Sequence, residues 1–265
     1  MIKVKFTKGW AHVFKNSGLE SFDDFFNYST GRVINKNKKR DVVEMTLTVD
    51  GEQKEFFMKR FYKPHFKDTL FTLRNFGSFC TQAQLEYKNA NLLLQNNIGT
   101  YYPACFGKNT CLFLEKASFL VTEKIRGQVL TDYVNNNFEK ISDSQKTKLM
   151  TALGKFIRKI HDANFSMPDL YLWHIFITNP PAETDDYDFA IIDLHRMSLN
   201  ATKAEKIKNL GAFDFSMSEK YFSESLRQAL LDAYTEGTKI NKETLRAKIK
   251  KRSNVLKNRR RRPDY

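Results

Sequence analysis

The feature that most constrains the fold is a hairpin pattern between residues 42 and 61. Two strand-forming runs, VVEMTLTV (42–49) and EQKEFFMKRF (52–61), are joined by Asp50-Gly51. An Asp-Gly pair between such runs is the strongest short-range signal for a β-hairpin. We therefore expect an antiparallel sheet in the first half of the chain, after an irregular N-terminal region.

The hydrophobic pattern then becomes mostly helical. The segment 81–97 has apolar residues at helical spacing, and 111–125 predicts two more strands. A capping box formed by Ser142 and Gln145 begins a long amphipathic helix. The runs HIFIT and DFAII predict two short buried strands, and the chain beyond Lys203 is predicted to be helical. The predicted fold class is α+β, with an N-terminal antiparallel sheet plus one helix and a mainly helical C-terminal lobe.

Length and composition set limits on the class of protein. With 265 residues, the chain is long enough for one large domain or two lobes, and its hydrophobic content of 41% excludes disorder throughout. No apolar run approaches the ~20 residues of a membrane-spanning helix. The N-terminal stretch MIKVKFTKGWAHVF lacks the apolar region and cleavage site of a secretory signal. We therefore expect a cytoplasmic protein.

Positive charge is concentrated in residues 242–265. This segment has 11 Lys and Arg against Glu243 and Asp264, whereas the whole chain has a net charge of +14. Leu245, Ile249 and Leu256 give it a weak apolar stripe. The segment could bind an anionic membrane surface, bind the phosphates of nucleic acid, or form an unstructured solvated tail. We expect three regions, 1–125, 126–241 and the basic tail 242–265.

Lys59 and Glu86 are candidates for an ion pair. In a strand, Lys59 shares a face with Phe57 and Phe61, and a half-buried lysine between aromatic rings requires an anionic partner. Glu86 borders the apolar face of the predicted helix that follows. A lysine that reaches solvent at a sheet edge and a solvated helix acid are the alternatives. Together the two residues offer each other the missing partner.

Asp169, His174 and Asp193 are candidates for a catalytic or metal site. Pro168 disfavours helical geometry at the preceding residue, so Asp169 is presented from an extended loop. His174 follows five residues later, and Asp193 ends a buried strand. A turn acid and a structural histidine are the alternatives for the first two. His161 ends the long helix, where a cation suits the helix dipole, and we expect it to be structural.

The order of these residues along the chain resembles the catalytic set of protein kinases. In that set a strand lysine holds the nucleotide phosphates and pairs with a helix glutamate. A loop aspartate follows, then a metal ligand five residues later, a strand pair and a second aspartate. Lys59, Glu86, Asp169, His174 and Asp193 occupy those places in this chain.

A closer resemblance is to the bacterial lipopolysaccharide core kinases, which phosphorylate heptose or Kdo. It rests on FFMKRF, QLEYKNANLLLQNNIGT, FLVTEKI, DLYLWHIFI and IIDLHR, and extends over roughly residues 15–225. That family carries histidine where protein kinases carry asparagine after the catalytic aspartate, and Asp-Leu-His-Arg where they carry Asp-Phe-Gly. His174 and the run from Asp193 to Arg196 match both features.

The resemblance implies a bilobal protein-kinase-like fold and ATP-dependent transfer of a phosphoryl group to a sugar hydroxyl of a glycolipid. Asp169 would be the catalytic base. Lys59, Glu86 and Glu123, the last within FLVTEKI, would bind the nucleotide. Asp193 and His174 would bind Mg²⁺, or Mn²⁺. The enzyme would lie at the inner face of the cytoplasmic membrane, with the basic tail on the anionic surface, and nucleic acid is not expected as a partner.

Three departures from the family pattern stand out. Met167 and Pro168 stand where His-Arg usually precedes the catalytic aspartate. The segment STGRVINKNKKRD has only Gly31 where a glycine-rich phosphate loop is expected, so few backbone amides and nearby basic side chains would hold the phosphates. Asn209 replaces the usual aspartate in NLGAF.

Other functions remain open from the sequence. A small-molecule kinase of the aminoglycoside type, or a protein kinase, would share the catalytic set, although no long activation segment follows Asp193. A pseudokinase would bind without catalysis, and a basic module would bind membrane or nucleic acid through its tail. The presence of all five kinase positions favours an active enzyme.

Overall fold

The computed structural model describes residues 1–62, 64, 66–112, 114–179, 186–259, 261 and 264–265, with the backbone alone for residues 66–69. Within these residues the chain forms two compact units. The first comprises Met1–Leu92 and Tyr101–Lys124, and the second comprises Leu93–Thr100 and Ile125–Tyr265. The functional division at residues 125 and 241 remains a prediction.

The first unit is built on a six-stranded antiparallel sheet in the order β1-β5-β6-β4-β3-β2. Its elements are β1 (Ile2–Phe6), α1 (Ala11–Asn16), α2 (Phe22–Phe26), β2 (Arg32–Lys36), β3 (Arg40–Val49), β4 (Glu52–Phe61), α3 (Phe66–Phe76), α4 (Gln82–Gln95), β5 (Pro103–Cys111) and β6 (Leu114–Glu123). The antiparallel sheet predicted for the first half of the chain is confirmed.

The hairpin of β3 and β4 has the predicted turn. Val49 pairs with Glu52, and Asp50 and Gly51 both have positive φ, 52° and 84°. Two positive φ values match the twist of a two-residue turn to that of its strands. Alternate residues of β3 are buried, as expected for a strand with one face on a core.

Aromatic side chains fill the core of the first unit. Phe25 stacks on Phe119 with ring centroids 4.6 Å apart, and Phe14 packs on Phe56 at 5.5 Å. All four rings are fully buried. Two of them lie on α1 and α2, which were not predicted, so the structure adds α1, α2 and α3 to the one helix expected in this half of the chain. The N-terminal region is likewise not irregular, since it contains β1 as well as α1 and α2.

The second unit is mainly helical and contains a three-stranded antiparallel sheet in the order β7-β8-β9. Its elements are β7 (Gln128–Val129), α5 (Leu130–Asn137), α6 (Asp143–Asp162), β8 (Ile175–Asn179), β9 (Asp188–Ile191), α7 (Lys203–Ser216), α8 (Glu224–Thr235) and α9 (Lys242–Lys257). Helix α6 packs on α8, and α7 packs on α9. The predicted strands HIFIT and DFAII are β8 and β9; residues 180–185 between them lie outside the described residues.

Helix α6 begins at the predicted residue and packs closely on α8. Ser142 and Gln145 form the predicted capping box at the start of α6. Gly154 lets α6 approach α8 closely, because a Cβ at that position would collide with the carbonyl oxygen of Leu230.

The basic segment is not an unstructured tail over residues 242–257, where it forms α9. Leu245 and Leu256 are buried, and Leu256 packs with Tyr171 and Phe215. The apolar stripe predicted for a membrane surface therefore contributes to the core of the second unit. Arg260 and Arg262, part of the terminal arginine run, lie outside the described residues. No helix in the described part of the chain combines the length and apolarity needed to cross a bilayer.

Candidate active site

Lys59 and Glu86 form the ion pair expected from the sequence. Lys59 Nζ lies 2.6 Å from Glu86 Oε1, and the Glu86 side chain is 2% exposed. The hydroxyl of Tyr101 donates to the other oxygen, Glu86 Oε2, at 3.2 Å. The ammonium group of Lys59 also lies 5.4 Å from the centre of the Phe61 ring, on the strand face that alternation predicts. The lysine is thus fixed by a buried carboxylate rather than directed to solvent.

Glu123 lies at the end of β6, opposite Phe56 of β4. Its backbone N–H donates to the carbonyl oxygen of Tyr102 at 2.9 Å. The side chain is half-buried. The nucleotide-binding role expected of Glu123 remains a prediction.

The loop between β2 and β3 differs from a glycine-rich phosphate loop. The side-chain Oδ1 of Asn37 accepts hydrogen bonds from the backbone N–H groups of Lys39 and Arg40, at 2.9 and 3.0 Å. These two amides are therefore not available to a phosphate. Gly31 serves packing instead, because a Cβ there would collide with the backbone of Glu44 in β3.

Asp169 follows a segment that α7 and a short bridge hold in place. Asn209 Oδ1 accepts the backbone N–H of Met167 at 2.8 Å, and Ser166 exchanges backbone hydrogen bonds with Ser198. Asn209 is 1% exposed, so this anchor is buried. Asn209 therefore positions the loop that presents Asp169, although an aspartate is usual there in the resembling family.

Arg196 forms an ion pair with Asp169 that the sequence analysis did not assign. Its Nη1 lies 3.0 Å from Asp169 Oδ1 and 3.3 Å from Oδ2. The Asp169 side chain is 12% exposed and that of Arg196 is 50% exposed. The guanidinium fixes the orientation of the carboxylate. The arginine of the motif Asp-Leu-His-Arg was visible in the sequence, but the sequence did not predict that its partner is Asp169.

His174 and Asp193 lie side by side, as predicted. The carbonyl oxygen of Asp169 can only accept, so His174 Nδ1 carries the proton in their 2.8 Å hydrogen bond. In the neutral tautomer with this proton, the lone pair is on Nε2, which lies 4.0 Å from Asp193 Oδ2. This distance is too long for a hydrogen bond.

Asp193 adopts a left-handed backbone conformation, with φ 63° and ψ 61°. Its Oδ1 accepts a hydrogen bond from His195 Nδ1 at 2.7 Å, which fixes the carboxylate and leaves Oδ2 on the side of His174. A metal ligand is commonly oriented in this way by a second group that binds its other atom. The donor set of His174 Nε2 and Asp193 Oδ2 thus fits a divalent cation.

His161 belongs to a buried hydrogen-bond chain. Asn209 Oδ1 is an acceptor, so His161 Nε2 donates to it at 3.3 Å, and Nδ1 accepts from the hydroxyl of Tyr234 at 2.9 Å. Burial lowers the pKa of His161 to about 4, although the hydrogen bond to Asn209 opposes this shift. The prediction of a structural role agrees with this arrangement, but the ring is neutral and is not the cation proposed for the helix end.

Sequence comparison identifies the class of protein. A family model described as Lipopolysaccharide kinase (Kdo/WaaP) family matches residues 25–234, most of the chain. The chain therefore belongs to this family. The resemblance to the lipopolysaccharide kinases is confirmed as family membership, and the expected class of enzyme, a kinase, is confirmed as well.

Particular relatives carry the name lipopolysaccharide core heptose(I) kinase WaaP. The Escherichia coli protein is 23% identical over 229 residues, which cover 77% of this chain and 86% of the relative. The Pseudomonas aeruginosa protein is 22% identical over 168 residues, which cover 57% of this chain and 63% of the relative, so the match spans less than two thirds of that protein.

A solved structure supports the fold. The structure titled WaaP in complex with acyl carrier protein aligns with a TM-score of 0.72 at 20% identity, covering 96% of this chain and 99% of that chain. The predicted α+β kinase-like fold is confirmed.

Proposed function

We propose that the protein transfers the γ-phosphoryl group of ATP to a sugar hydroxyl of the lipopolysaccharide inner core, on a heptose or on Kdo. The observation that carries the proposal is the grouping of Asp169, His174 and Asp193 in a chain of the lipopolysaccharide kinase family. The attacking oxygen of the sugar forms a bond to the γ-phosphorus as the bond from that phosphorus to the ADP oxygen breaks. The hydroxyl proton must leave the sugar in this step.

Asp169 takes that proton in the proposed reaction. Its carboxylate is oriented by Arg196 on one side, while its own backbone carbonyl holds His174. A positioned carboxylate within hydrogen-bond reach of a hydroxyl contributes about 10²–10⁴-fold to such a reaction. Arg196 thus acts as a positioning residue for Asp169.

Lys59 binds the nucleotide phosphates, and Glu86 holds the lysine in place. The 2.6 Å pair places one ammonium group at a fixed point, so that little side-chain entropy is lost when phosphate binds. The side chains of this pair substitute in part for the backbone amides that Asn37 occupies in the loop after β2. Glu123, at the end of β6, contributes to the nucleotide site.

His174 Nε2 and Asp193 Oδ2 would hold the divalent cation that accompanies ATP, Mg²⁺ or Mn²⁺. A cation held there would neutralise charge on the transferring phosphoryl group. Imidazole is a poor ligand for Mg²⁺ and a better one for Mn²⁺, so His174 shifts metal preference towards Mn²⁺ relative to an asparagine. His195 holds Asp193 in the orientation required.

The acceptor lies at the inner face of the cytoplasmic membrane, where we place the enzyme as a peripheral protein. The support is charge alone, since Leu245 and Leu256 of the apolar stripe are buried in the second unit. Basic side chains near an anionic surface contribute about 1 kcal/mol each. Of the described basic residues in α9, Lys248, Lys250 and Lys251 are exposed and form no ion pair within the described part of the chain.

We further propose an acyl carrier protein as a partner. The WaaP structure of similar fold is of such a complex. In this chain a cavity of about 410 Å³ lies between α7, α8 and α9. Its lining combines charged side chains with the apolar residues Leu210, Phe213, Phe222 and Leu231, and these apolar residues could contact an acyl chain. Intact-mass analysis of the protein purified from cells tests this proposal. Protein that copurifies with no acyl carrier protein, and binds none when it is supplied, would contradict it.

The decisive assay is transfer from γ-labelled ATP to extracted glycolipid, compared with protein and free-sugar acceptors. Label in the glycolipid alone supports the proposal. Label in protein or in small molecules would favour the other kinase functions, and nucleotide binding without transfer would indicate a pseudokinase. The Asp169→Asn variant, run in parallel, separates this transfer from that of a contaminating kinase.

A further inference from the structure

A second cluster of charged side chains lies beside the loop that presents Asp169. It lines a cavity of about 310 Å³ in the second unit, formed by Ser166, Arg196, Lys208, Arg252 and Leu256 together with Glu205. Three of these side chains are cations. The acid among them, Glu205, is engaged at the start of α7, where its Oε2 accepts hydrogen bonds from the backbone N–H and the hydroxyl of Thr202.

Two of the three cations of this cavity are not paired with an acid. Lys208 and Arg252 form no ion pair within the described part of the chain, whereas Arg196 is paired with Asp169 through Nη1 and Glu205 adds one negative charge to the lining. The alkyl part of Arg252 is held against Gly211, where a Cβ would collide with it. Arg252 is therefore fixed at the cavity rather than free to turn to solvent. Cations held together in this way favour an anion between them.

Two buried polar atoms at the same cavity lack a partner among the described residues. They are Ser166 Oγ, on a residue that is 1% exposed, and Arg252 Nε. Buried polar groups in native proteins are nearly always hydrogen-bonded, so each such exception requires an explanation. A hydroxyl and a guanidinium N–H are both donors suited to an anionic oxygen. The charge and the unused donors thus point to the same kind of ligand.

We propose that this cavity binds an anionic group, a carboxylate or a phosphate, that the sugar acceptor carries close to the hydroxyl to be phosphorylated. The inference rests on the proposed function for the identity of the acceptor. Arg196 lines the cavity and also binds Asp169, so an anion held there lies next to the residue that takes the hydroxyl proton. The cavity thereby selects acidic acceptors and orients one of their hydroxyls.

Direct binding tests the site without any kinase reaction. The chain has two tryptophans, and Trp173 packs with Tyr171 and Leu256 beside the cavity. In a Trp10→Phe background, Trp173 fluorescence reports on titration with inorganic phosphate and with glucuronate at constant ionic strength, and glucose serves as the neutral control. We expect saturable changes with an anion and none with glucose. The preferred anion, phosphate or glucuronate, identifies the source of the negative charge.

Variants assign the binding to this cavity. Arg252→Gln keeps the alkyl contact with Gly211 and should weaken anion binding at least about tenfold, or 1.4 kcal/mol. Ser166→Ala should weaken binding without lowering the melting temperature, because the hydroxyl has no partner within the described residues. Lys203 is an exposed residue at the start of α7. Lys203→Gln removes the same charge and should change neither anion binding nor the melting temperature. Lys59→Ala should also leave the titration unchanged, which excludes the nucleotide site.

Steady-state kinetics then connect the site to the acceptor. For a soluble acceptor fragment, Arg252→Gln should raise KM about tenfold with kcat changed less than about threefold. Carboxyl-reduced or phosphatase-treated acceptor should show the same rise with the unmodified enzyme and no further rise with the variant. Equal KM values for all acceptors, or anion binding unchanged in Arg252→Gln, would overturn the proposal while the kinase function stands. Anion binding at this cavity in a protein without transferase activity would instead remove the proposed function and leave the anion site.

Discussion

Asp169 is the residue on which the proposed chemistry depends most. Its side chain contacts Arg196, and its backbone carbonyl contacts the ring of His174. The side chain of Asp169 is thus the base that Arg196 orients, and its backbone carbonyl helps to orient His174, a candidate metal ligand. Pro168 stands where an arginine usually precedes this aspartate in the family, and the arginine that contacts the carboxylate here is Arg196 of the Asp-Leu-His-Arg motif.

Asp169→Asn should lower kcat by about 10²-fold or more and leave ATP affinity nearly unchanged, because the group acts on the acceptor hydroxyl. Radiolabel transfer measures kcat, and equilibrium binding measures the nucleotide affinity. Asp23→Asn, an exposed acid of α2, provides the control for loss of a charge. If Asp169→Asn keeps most of the activity, another group takes the proton.

Lys59→Ala should raise KM for ATP by at least about tenfold, and Glu86→Ala should have a similar effect, because the two side chains act as one unit. The loss in ATP binding free energy in the double variant should be within about 0.5 kcal/mol of the loss in either single variant. Lys54→Ala, which changes another lysine of β4, should leave KM unchanged. Additive losses for Lys59 and Glu86 would contradict a shared role.

His174→Asn should retain activity with Mg²⁺ and reduce the rate with Mn²⁺ relative to Mg²⁺, because an amide oxygen is a harder ligand than imidazole. The ratio of the two rates is the measurement, and His12→Asn, an exposed histidine of α1, should not change it. Loss of activity with both metals would indicate that the hydrogen bond from Nδ1 to the Asp169 carbonyl is the essential contribution.

At the scale of elements, buried polar chains link helices to the catalytic loop. The chain runs from Tyr234 of α8 through His161 of α6 to Asn209 of α7, which in turn binds the backbone of Met167. A second polar cluster lies in the first unit, where Arg60 of β4 pairs with Asp41 of β3 at 2.8 Å. Burial would raise the pKa of Asp41, but hydrogen bonds from Arg60 and Tyr62 lower it below its usual value.

The free energy of unfolding should fall as the pH decreases from about 6.5 to about 4. The folded pKa of His161 is about 4, whereas the unfolded chain has a value near 6.5, so within this window only the unfolded chain binds the proton. The loss amounts to about 3 kcal/mol across the window. Urea unfolding between pH 7 and pH 4 measures it.

His161→Gln should show a smaller loss over the same range, because glutamine can hydrogen-bond but does not titrate. The contribution of Asp41 is distinguishable by its window, since a lowered carboxyl pKa removes stability only at still lower pH, below about 4. Identical pH dependence in the wild type and His161→Gln would show that another group accounts for the loss.

The sequence analysis located most elements but missed those whose partners are distant in sequence. The segment 111–125 was expected to hold two strands, but β5 ends at Cys111 and β6 alone occupies the rest. The turn between them includes Leu112, which is 88% exposed with φ 55°. Leucine is not a residue from which a turn is predicted, so the turn was not recognised within the apolar run. Strand β1 was missed because it pairs with β5, about 100 residues away.

In the whole molecule, part of the positive charge of the basic segment is paired with acids elsewhere in the chain. Lys242, Arg246 and Lys257 pair with acids outside α9, namely Asp232, Glu224 and Glu219. Arg252 lines the proposed anion site. A charge count from the sequence therefore overstates what is available to a membrane. Deletion of 242–265 would also expose the surface of α7 and is not a clean test.

Replacement of Lys248, Lys250 and Lys251 by glutamine should weaken binding to anionic vesicles by about 3 kcal/mol, at about 1 kcal/mol per charge. The difference should shrink as salt shortens the Debye length. Vesicle sedimentation at several salt concentrations measures it. Activity on a soluble acceptor should be retained, since these side chains are exposed.

The matched control is a triple glutamine variant of three exposed lysines in the first unit, Lys3, Lys8 and Lys116. It removes the same charge and should bind vesicles as the wild type does. Equal losses in both variants would show that net charge rather than α9 determines binding. Vesicle binding that is unchanged in the α9 variant, together with weaker binding to RNA or DNA, would favour the nucleic-acid alternative.

Local sequence patterns predicted the hairpin of β3 and β4, the capped helix α6 and the candidates Lys59, Glu86, Asp169, His174 and Asp193. Each of these depends on local rules of turn chemistry, capping and periodicity, or on the order of residues along the chain. The tertiary structure alone decided which groups contact them. Arg196 pairs with Asp169, and α9 packs on α7, although each pair is separated in sequence. The neutral state of His161 likewise results from its burial in the folded chain. Such contacts follow from how helices and loops pack, and packing depends on the whole set of side chains rather than on any one stretch.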